Sequence, residues 1–595
     1  MRKPVLLLIS VAVASGAASA ADLSPAAWPL KARQQAERTE AQTWAPRETR
    51  LVRSRNGLVS AVVSPVAVLA GLEALRQGGN AADAAATVAL TQITRQLGSV
   101  VSYAGIMTML YYDAKTGQVT YLNAGYDSYR GETDAKSIPV GDLGPLNLGR
   151  KPSVGGQLGR QTLVPGFMAG IQALHDRYGR LPFRVLFQPA IWYARHGVTI
   201  SPILASFFKM REKPLSSTPE GRRFLRQAGD DMPKPGDNFV QVDLANTLTD
   251  AAEHGARYMY RGAWGKAFVT AVRQAGGRVT PADMEDYRVV WGKPYEEKLF
   301  GHTIYVSGAP SDAVYQVLTG LNIAAALKLN GHGPYWSDPQ TFEELSQIGP
   351  FVSEAPRFPP SLAAFLAGKG IDAAMSAQRS RKFAEAVAPL LGQLYVPPPA
   401  PSPHHSNSIV VVDREGNIAI MTHTINAVVW GDTGIVVGGI PLPDSAGFQQ
   451  DLLAQLQPGS RVPDPIACTL TLEGSHPVLA TAPIGSSLIP ETIKTVLSVI
   501  GQKQSLADTI AAPPLLADFA QQALPLGALK VDVPTGGYSA KFLAQVEHLG
   551  VSIAEVSAQQ AEILRGTLAT AVIDPKTREA STVEVPGVMV FAGSN

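Results

Sequence analysis

Residues 406–426 read SNSIVVVDREGNIAIMTHTIN. Val410–Val412 is apolar and β-branched, DREGN is made of turn-forming residues, and IAIMTHTI returns as a second apolar run. β-Branched residues favour strands, and Asp, Gly and Asn favour the turn between them, so the spacing predicts a β-hairpin. Carrying an Asp413–Asn417 pairing back along that hairpin puts Ser406 opposite Thr424. Asn426 then lies just beyond, on the same side-chain face.

Upstream lies VPPPAPSPHH, residues 396–405. A stiff proline tract against a buried strand is either a plain loop-to-strand junction or a cleavage site that makes Ser406 a new N-terminus. A serine hydroxyl needs a base to become a nucleophile. His405 is its neighbour in sequence, and neighbours in an extended chain point to opposite faces. A cut before Ser406 would supply a different base, its own α-amine, whose pKa near ~8 suits proton transfer at neutral pH. On these residues alone the plain junction is the better explanation of the segment.

The chain has 595 residues, 45% apolar and 17% charged, with 55 Gly, 45 Pro and a net charge of +2. The length suggests about two to four domains, and the composition is that of a loop-rich globular protein. No dense Lys/Arg block is present, so nothing points to nucleic acid as a partner. Arg2 and Lys3, the apolar run VLLLISVAVA (5–14) and Ala18-Ser19-Ala20 form a secretory signal pattern, with cleavage expected after Ala20. The run is too short to span a bilayer, which takes ~20 residues. A periplasmic or secreted protein without a membrane span in its mature form is therefore expected. Cys468 is the only cysteine, which excludes an intrachain disulfide and thiolate metal clusters; it reads as a buried small hydrophobe. Ten histidines without HExxH spacing point to no metal, and no Walker loop, G-x-S-x-G elbow or G-x-G-x-x-G fingerprint is present. No cofactor is expected.

Residues 21–56 are polar and Arg/Glu-rich and read as a poorly ordered N-terminal arm. Leu58–Val63 is a strand, Pro65–Leu75 a helix ended by Gly78-Gly79, and Asn80 caps the next helix. Ile106–Tyr112 and Gln118–Leu122 flank the turn DAKTG; 160–300 is mainly helical, Thr303–Val306 a strand and Asp312–Leu329 a helix. Between 331 and 405 the periodicity breaks up. Strands then dominate to a helix at Pro490–Ile500, and a last hairpin pairs about 567–573 with 581–591.

Seven blocks in order resemble the γ-glutamyltranspeptidase family: GLEALRQGGNAADAAATVAL, YYDAKTG, LVPGFMAG, RYGRLPF with QPAIWYARHG, YRG followed by AGGRVTPADMEDYRVVW, SNSIVVVDREGNIAIMTHTIN, and TAPIGSSLIPETI. The resemblance covers roughly 57–595. It implies an α/β (α+β) fold, the four-layer αββα sandwich of the N-terminal-nucleophile hydrolases. It also implies self-cleavage at 405–406 into a large-subunit-like region (57–405) and a small-subunit-like region (406–595), which stay together as partners. Counting back from Asp413 puts Ser406 at the family's threonine nucleophile, followed by Asn407 and Ser408. Thr424 and Asn426 match the residues placed beside it, and Ile484 and Gly485 match the Gly-Gly pair of the oxyanion hole.

The glutamate-binding positions depart from the family. Gly125, in NAGYDS, stands where its carboxylate-binding arginine is expected, with Arg130 five residues on as a substitute. Asp464-Pro465 replaces a serine pair that grips the same carboxylate. Of the acidic pair that receives the α-amine only Asp444, in PLPDSAGF, remains nearby, and the glycine-rich loop reads GSVVSYAG. The resemblance with these losses implies an autoprocessed amidohydrolase or acyltransferase acting on a small-molecule or peptide amide, with an altered pocket involving Arg130, Asp444 and Asp464. An unprocessed, non-catalytic binding protein and an ordinary γ-glutamyl transferase or glutathione hydrolase with rearranged loops are the alternatives.

Overall fold

A computed structural model describes residues 21–41, 49–141, 156–228, 231–396, 406–485, 487–517, 524–525, 530–585 and 589–595. Two seven-stranded antiparallel sheets face one another. In chain order their strands are β1 (Arg50–Ser54), β2 (Gly57–Val62), β3 (Ile106–Asp113), β4 (Gln118–Ala124), β5 (Val290–Gly292), β6 (Tyr295–Leu299) and β7 (His302–Val306). Then come β8 (Ser406–Asp413), β9 (Ile418–Thr424), β10 (Thr469–Glu473), β11 (His476–Ile484), β12 (Thr567–Ile573), β13 (Ala580–Glu584) and β14 (Val590–Ser594). The first sheet runs β14-β2-β8-β9-β3-β4-β5 and the second β1-β13-β12-β11-β10-β7-β6.

Helices close both outer faces. α1 (Leu30–Ala41), α2 (Pro65–Arg76), α3 (Ala81–Arg95) and α4 (Phe167–Tyr178) lie on the side of the first sheet; α5 (Ala313–Ala326), α6 (Pro339–Ser353) and α7 (Leu488–Val496) cover the second. Asn80 caps α3 with a reciprocal bond from Asp83, as its sequence predicts. α3 is buried along its whole length, its alanines letting it lie close to β8. α4 comes so near the sheet at Gly170 that a Cβ there would lie 2.6 Å from Met107 Sδ. Between the sheets, Leu58, Leu110, Val410 and Ile420 pack on Leu470, Ala480, Ala482 and Ala569. These are the four layers αββα. β8 is covered on both faces, which is why it reads as a continuous apolar run rather than an alternating one.

The hairpin register is the expected one, with Ser406 opposite Thr424 and Val412 opposite Ile418. Asp413 fixes it. Its Oδ1 accepts the N–H groups of Glu415 and Asn417, and its Oδ2 accepts Asn417 Nδ2 and the N–H of Ala81 at the start of α3. A register slip would break the three bonds within the turn and exchange the side chains that face the other sheet with those that face α3.

Three stretches differ from expectation. Residues 21–41 are ordered: Leu23 and Trp28 are buried, and α1 docks through charge. Glu40 accepts Ser64 Oγ at 2.7 Å and the fully buried Arg95 Nε at 2.8 Å, and Glu37 accepts the Tyr193 hydroxyl at 2.9 Å. Region 331–396 contains α6 and further helices, Pro360–Gly368 and Arg381–Val387. The last hairpin pairs β12 with β13 only; β14 crosses to the other sheet and pairs with β2. The signal pattern and residues 397–405, with His404 and His405, lie outside the described residues.

Candidate active site

Ser406 opens β8 at the end of a cross-strand row that continues through Thr424 on β9 and Ile106 on β3. One more step of the β3–β4 register leads to Gly125. The row two residues inward, Ser408–Thr422–Thr108–Asn123, shares the same face, which meets the second sheet. There Ser408 Oγ accepts the Ala569 N–H at 3.3 Å, and Thr422 Oγ1 donates to Pro483 O at 3.4 Å. Ser406 and Thr424 therefore stand at the end of the sandwich where β11 finishes at Ile484 and turns through Gly485. Gly485 has φ +93°, which favours glycine, and its backbone continues toward α7.

The Ser406 hydroxyl donates to Thr424 Oγ1 at 2.7 Å, and the same oxygen accepts the Asn426 N–H at 3.2 Å. Ser406 is buried, as are Thr424 and Asn426. Asn426 sits at φ +47°, a left-handed conformation that Asn tolerates, and ends the strand. Between them the Ile425 carbonyl accepts Ser445 Oγ at 2.6 Å and Tyr126 OH at 3.0 Å. The turn carrying Thr424 and Asn426 is thus pinned from two sides. Among the described residues Thr424 is the only side-chain partner of Ser406; no imidazole or carboxylate reaches it.

The γ-glutamyltranspeptidase family model matches residues 67–583. The chain belongs to this family. Members are N-terminal-nucleophile hydrolases and transferases, and the fold agrees with that assignment. The chain is 25% identical over 532 residues to the glutathione hydrolase proenzyme of Escherichia coli K12, covering 84% of this chain and 87% of the relative. It is 24% identical over 458 residues to the capsule biosynthesis protein CapD proenzyme of Bacillus anthracis, covering 75% and 76%. The cephalosporin acylase of Bacillus halodurans superposes with a TM-score of 0.73 at 20% identity, covering 93% of this chain and 98% of that one, which shows the shared fold.

The residues that the resemblance sets at the family's glutamate-binding positions are placed as follows. Gly125 is where its arginine is expected, and the space beside it is filled by Arg461, whose Cδ would lie 3.1 Å from a Cβ on Gly125. The Arg461 guanidinium is held among residues of β4 and the segment that leads into β5. It donates to Asp127 Oδ1 at 2.5 Å, to the carbonyl and Oδ1 of Asn123 and to Arg288 O, and lies 4.8 Å from the Tyr287 ring. Sequence reasoning missed Arg461, which is 336 residues from Gly125 in the chain; its lone positive charge three residues before Asp464 was the available signal. Arg130 is half exposed and spends its guanidinium on Asp286 at 2.9 Å, with Asp283 at 4.0 Å.

Asp464 is buried, and its carboxylate accepts Asn123 Nδ2 at 2.7 Å, Thr108 Oγ1 at 3.2 Å and the Ile466 N–H at 2.9 Å. Burial pushes its pKa up to about 6, those bonds pulling the other way. Asp444 lies one residue from the Ser445 that holds Ile425. One carboxylate oxygen accepts the Asp432 N–H at 3.0 Å, and the other has no hydrogen-bond partner among the described residues. Burial, and then the neighbouring Asp432, push its pKa up to about 7, against the pull of Arg211. Cys468 is buried near Thr108 and Thr422, and burial pushes its thiol up to about 12, so it stays protonated.

Proposed function

We propose that the protein is an exported, autoprocessed amidohydrolase or acyltransferase with Ser406 as nucleophile, acting on amides other than ordinary γ-glutamyl ones. The observation that carries the reading is the 2.7 Å bond from Ser406 to Thr424 at the first position of β8, within the family's fold. In the precursor the Ser406 hydroxyl attacks the carbonyl of residue 405. The C–N bond breaks, an ester forms, and water hydrolyses it, leaving a free α-amine on Ser406. That amine then takes the hydroxyl proton as Oγ attacks a substrate amide and hands it to the departing amine. Water or an acceptor amine releases the acyl group. Thr424 and Asn426 orient Oγ, and the N–H groups of Ile484 and Gly485 receive the developing oxyanion.

The altered preference is supported by the charges. Binding a free α-amino acid end needs an uncommitted cation for its carboxylate. Arg461 is neutralised by Asp127, Arg130 by Asp286, and Asp464 is held in its own bonds. The signal pattern at residues 1–20 supports export, and no helix among the described residues is long and apolar enough to cross a membrane.

The test is the intact mass and N-terminal sequence of the mature protein beside Ser406→Ala. Native protein is expected as two chains of roughly 41 and 20 kDa (from 63.0 kDa in all). The smaller begins SNSIVV, and both are absent from the variant. A single uncut chain in both samples refutes the reading and leaves a binding protein.

A further inference from the structure

Behind Ser406, on the face of the first sheet that meets α3, a polar cluster lies inside an otherwise apolar layer. His423 stands directly opposite Asn407, the residue after Ser406. Both are fully buried. His423 Nε2 is 2.8 Å from Gln92 Oε1 on α3, so that nitrogen carries the proton. Gln92 Nε2 in turn donates to Val62 O at 2.6 Å and Val63 O at 3.2 Å, at the end of β2. β2 and β9 are the two neighbours of β8 in the sheet. Continuing the β2–β8 register sets Val63 beside Asn407. The Gln92 side chain therefore ties the strand on one side of the nucleophile strand to the strand on the other, across its second residue.

We propose that Gln92 and His423 are positioning residues for Ser406, a clamp that fixes where β8 begins. The inference rests on the Ser406 reading above. A purely structural bridge would be expected to satisfy its own polar atoms, and this cluster does not. His423 Nδ1, Asn407 Oδ1 and Asn407 Nδ2 are buried without hydrogen-bond partners among the described residues. Each such group costs about 1–3 kcal/mol, and apolar side chains of the same volume would avoid that loss. Polar groups kept in a core against stability point to a requirement for geometry. The requirement here is placement of Oγ, because a shift of about 1 Å at a reacting atom costs about a hundredfold in rate. The imidazole is suited to a constant role: burial lowers its pKa to about 3, and its ring packs 5.4 Å from Phe167, so it stays a neutral donor.

The experiment compares the splitting rate of the full chain, made by pulse-labelled cell-free synthesis, with thermal stability. His423→Phe keeps an aromatic ring in place and removes both ring nitrogens, so the Gln92 acceptor loses its donor while the unpartnered Nδ1 is also gone and the two costs offset; His423→Gln restores an N–H near the Nε2 position. The expected result is splitting at least tenfold slower in His423→Phe, a melting temperature no lower than native, and a rate restored in His423→Gln. Native-rate splitting in His423→Phe overturns the clamp and leaves the Ser406 reading intact. Equal rates in the two variants at equal stability also overturn it. If His423→Phe does not fold, Gln92→Met is measured against native by the same criterion. A native chain that never splits, like Ser406→Ala, overturns both readings.

Discussion

Thr424→Val removes one oxygen and keeps the side-chain shape, so its effects on Ser406 can be worked out from the bonds that oxygen accepts. Thr424 Oγ1 accepts the Ser406 hydroxyl at 2.7 Å and the Asn426 N–H at 3.2 Å. Both donors are buried, and losing their acceptor lowers stability by about 1–3 kcal/mol. The effect on rate has two parts. Without its acceptor the Ser406 side chain samples three staggered wells, which cuts the aligned fraction about threefold. The lost bond, worth about 1 kcal/mol, accounts for a further fivefold or so. Splitting is therefore expected to slow by about ten- to thirtyfold in Thr424→Val, while Thr424→Ser, which keeps the oxygen, stays within about threefold of native. The assay is a time course of chain splitting by intact mass, with melting temperatures to show that each variant is folded. A folded Thr424→Val chain that splits within twofold of native would refute this account.

Three further outcomes are expected. Asp444 is protonated in the folded protein up to about pH 7 and in the unfolded chain only up to about pH 4, so its contribution to stability is full below pH 4 and lost as pH rises to 7. Melting curves should show native protein losing ground to Asp444→Asn over that window, by a few kcal/mol, with a constant difference above it. Glu40→Ala leaves Arg95 buried without its counter-charge and should cost about 3–5 kcal/mol by urea unfolding; a loss under 1 kcal/mol would show that the arm is not held this way. Gly125→Arg places a Cβ 3.1 Å from Arg461 Cδ, so its melting-temperature loss should be larger in the native background than with Arg461→Ala, a coupling that a double-mutant cycle reads directly.

The hairpin and its register were legible because the information is local. A five-residue turn with Asp at its start fixes which residues face each other, and β-branched runs declare the strands on either side. α2, α3 and the capping box at Asn80 were legible for the same reason. The arm was misread because LKARQQAERTEA has almost no apolar stripe; α1 docks through Glu37 and Glu40, whose partners Tyr193 and Arg95 are far away in the chain. The helices after 331 were obscured by proline, one of them inside α6 at Pro350. At the site, Ser406, Thr424 and Asn426 follow from the hairpin, whereas Arg461 beside Gly125 and Gln92 beneath His423 are long-range contacts that spacing does not encode.

The order of strands has a consequence for how this protein can be made. β8, in the interior of the first sheet, lies between β2 and β9, and the ladders β14–β2, β2–β8, β9–β3, β1–β13 and β10–β7 each join a residue before 406 to one after it. A break between residues 405 and 406 would leave two polypeptides laced through both sheets, held without any disulfide. They would part only on denaturation. Folding must also come first: a half made alone would leave interior sheet edges exposed, and inserting β8 between strands of another chain is a long-range pairing of the slowest kind. Genes split at 406 should therefore yield aggregated halves, and the intact precursor is the only efficient route to the two-chain form.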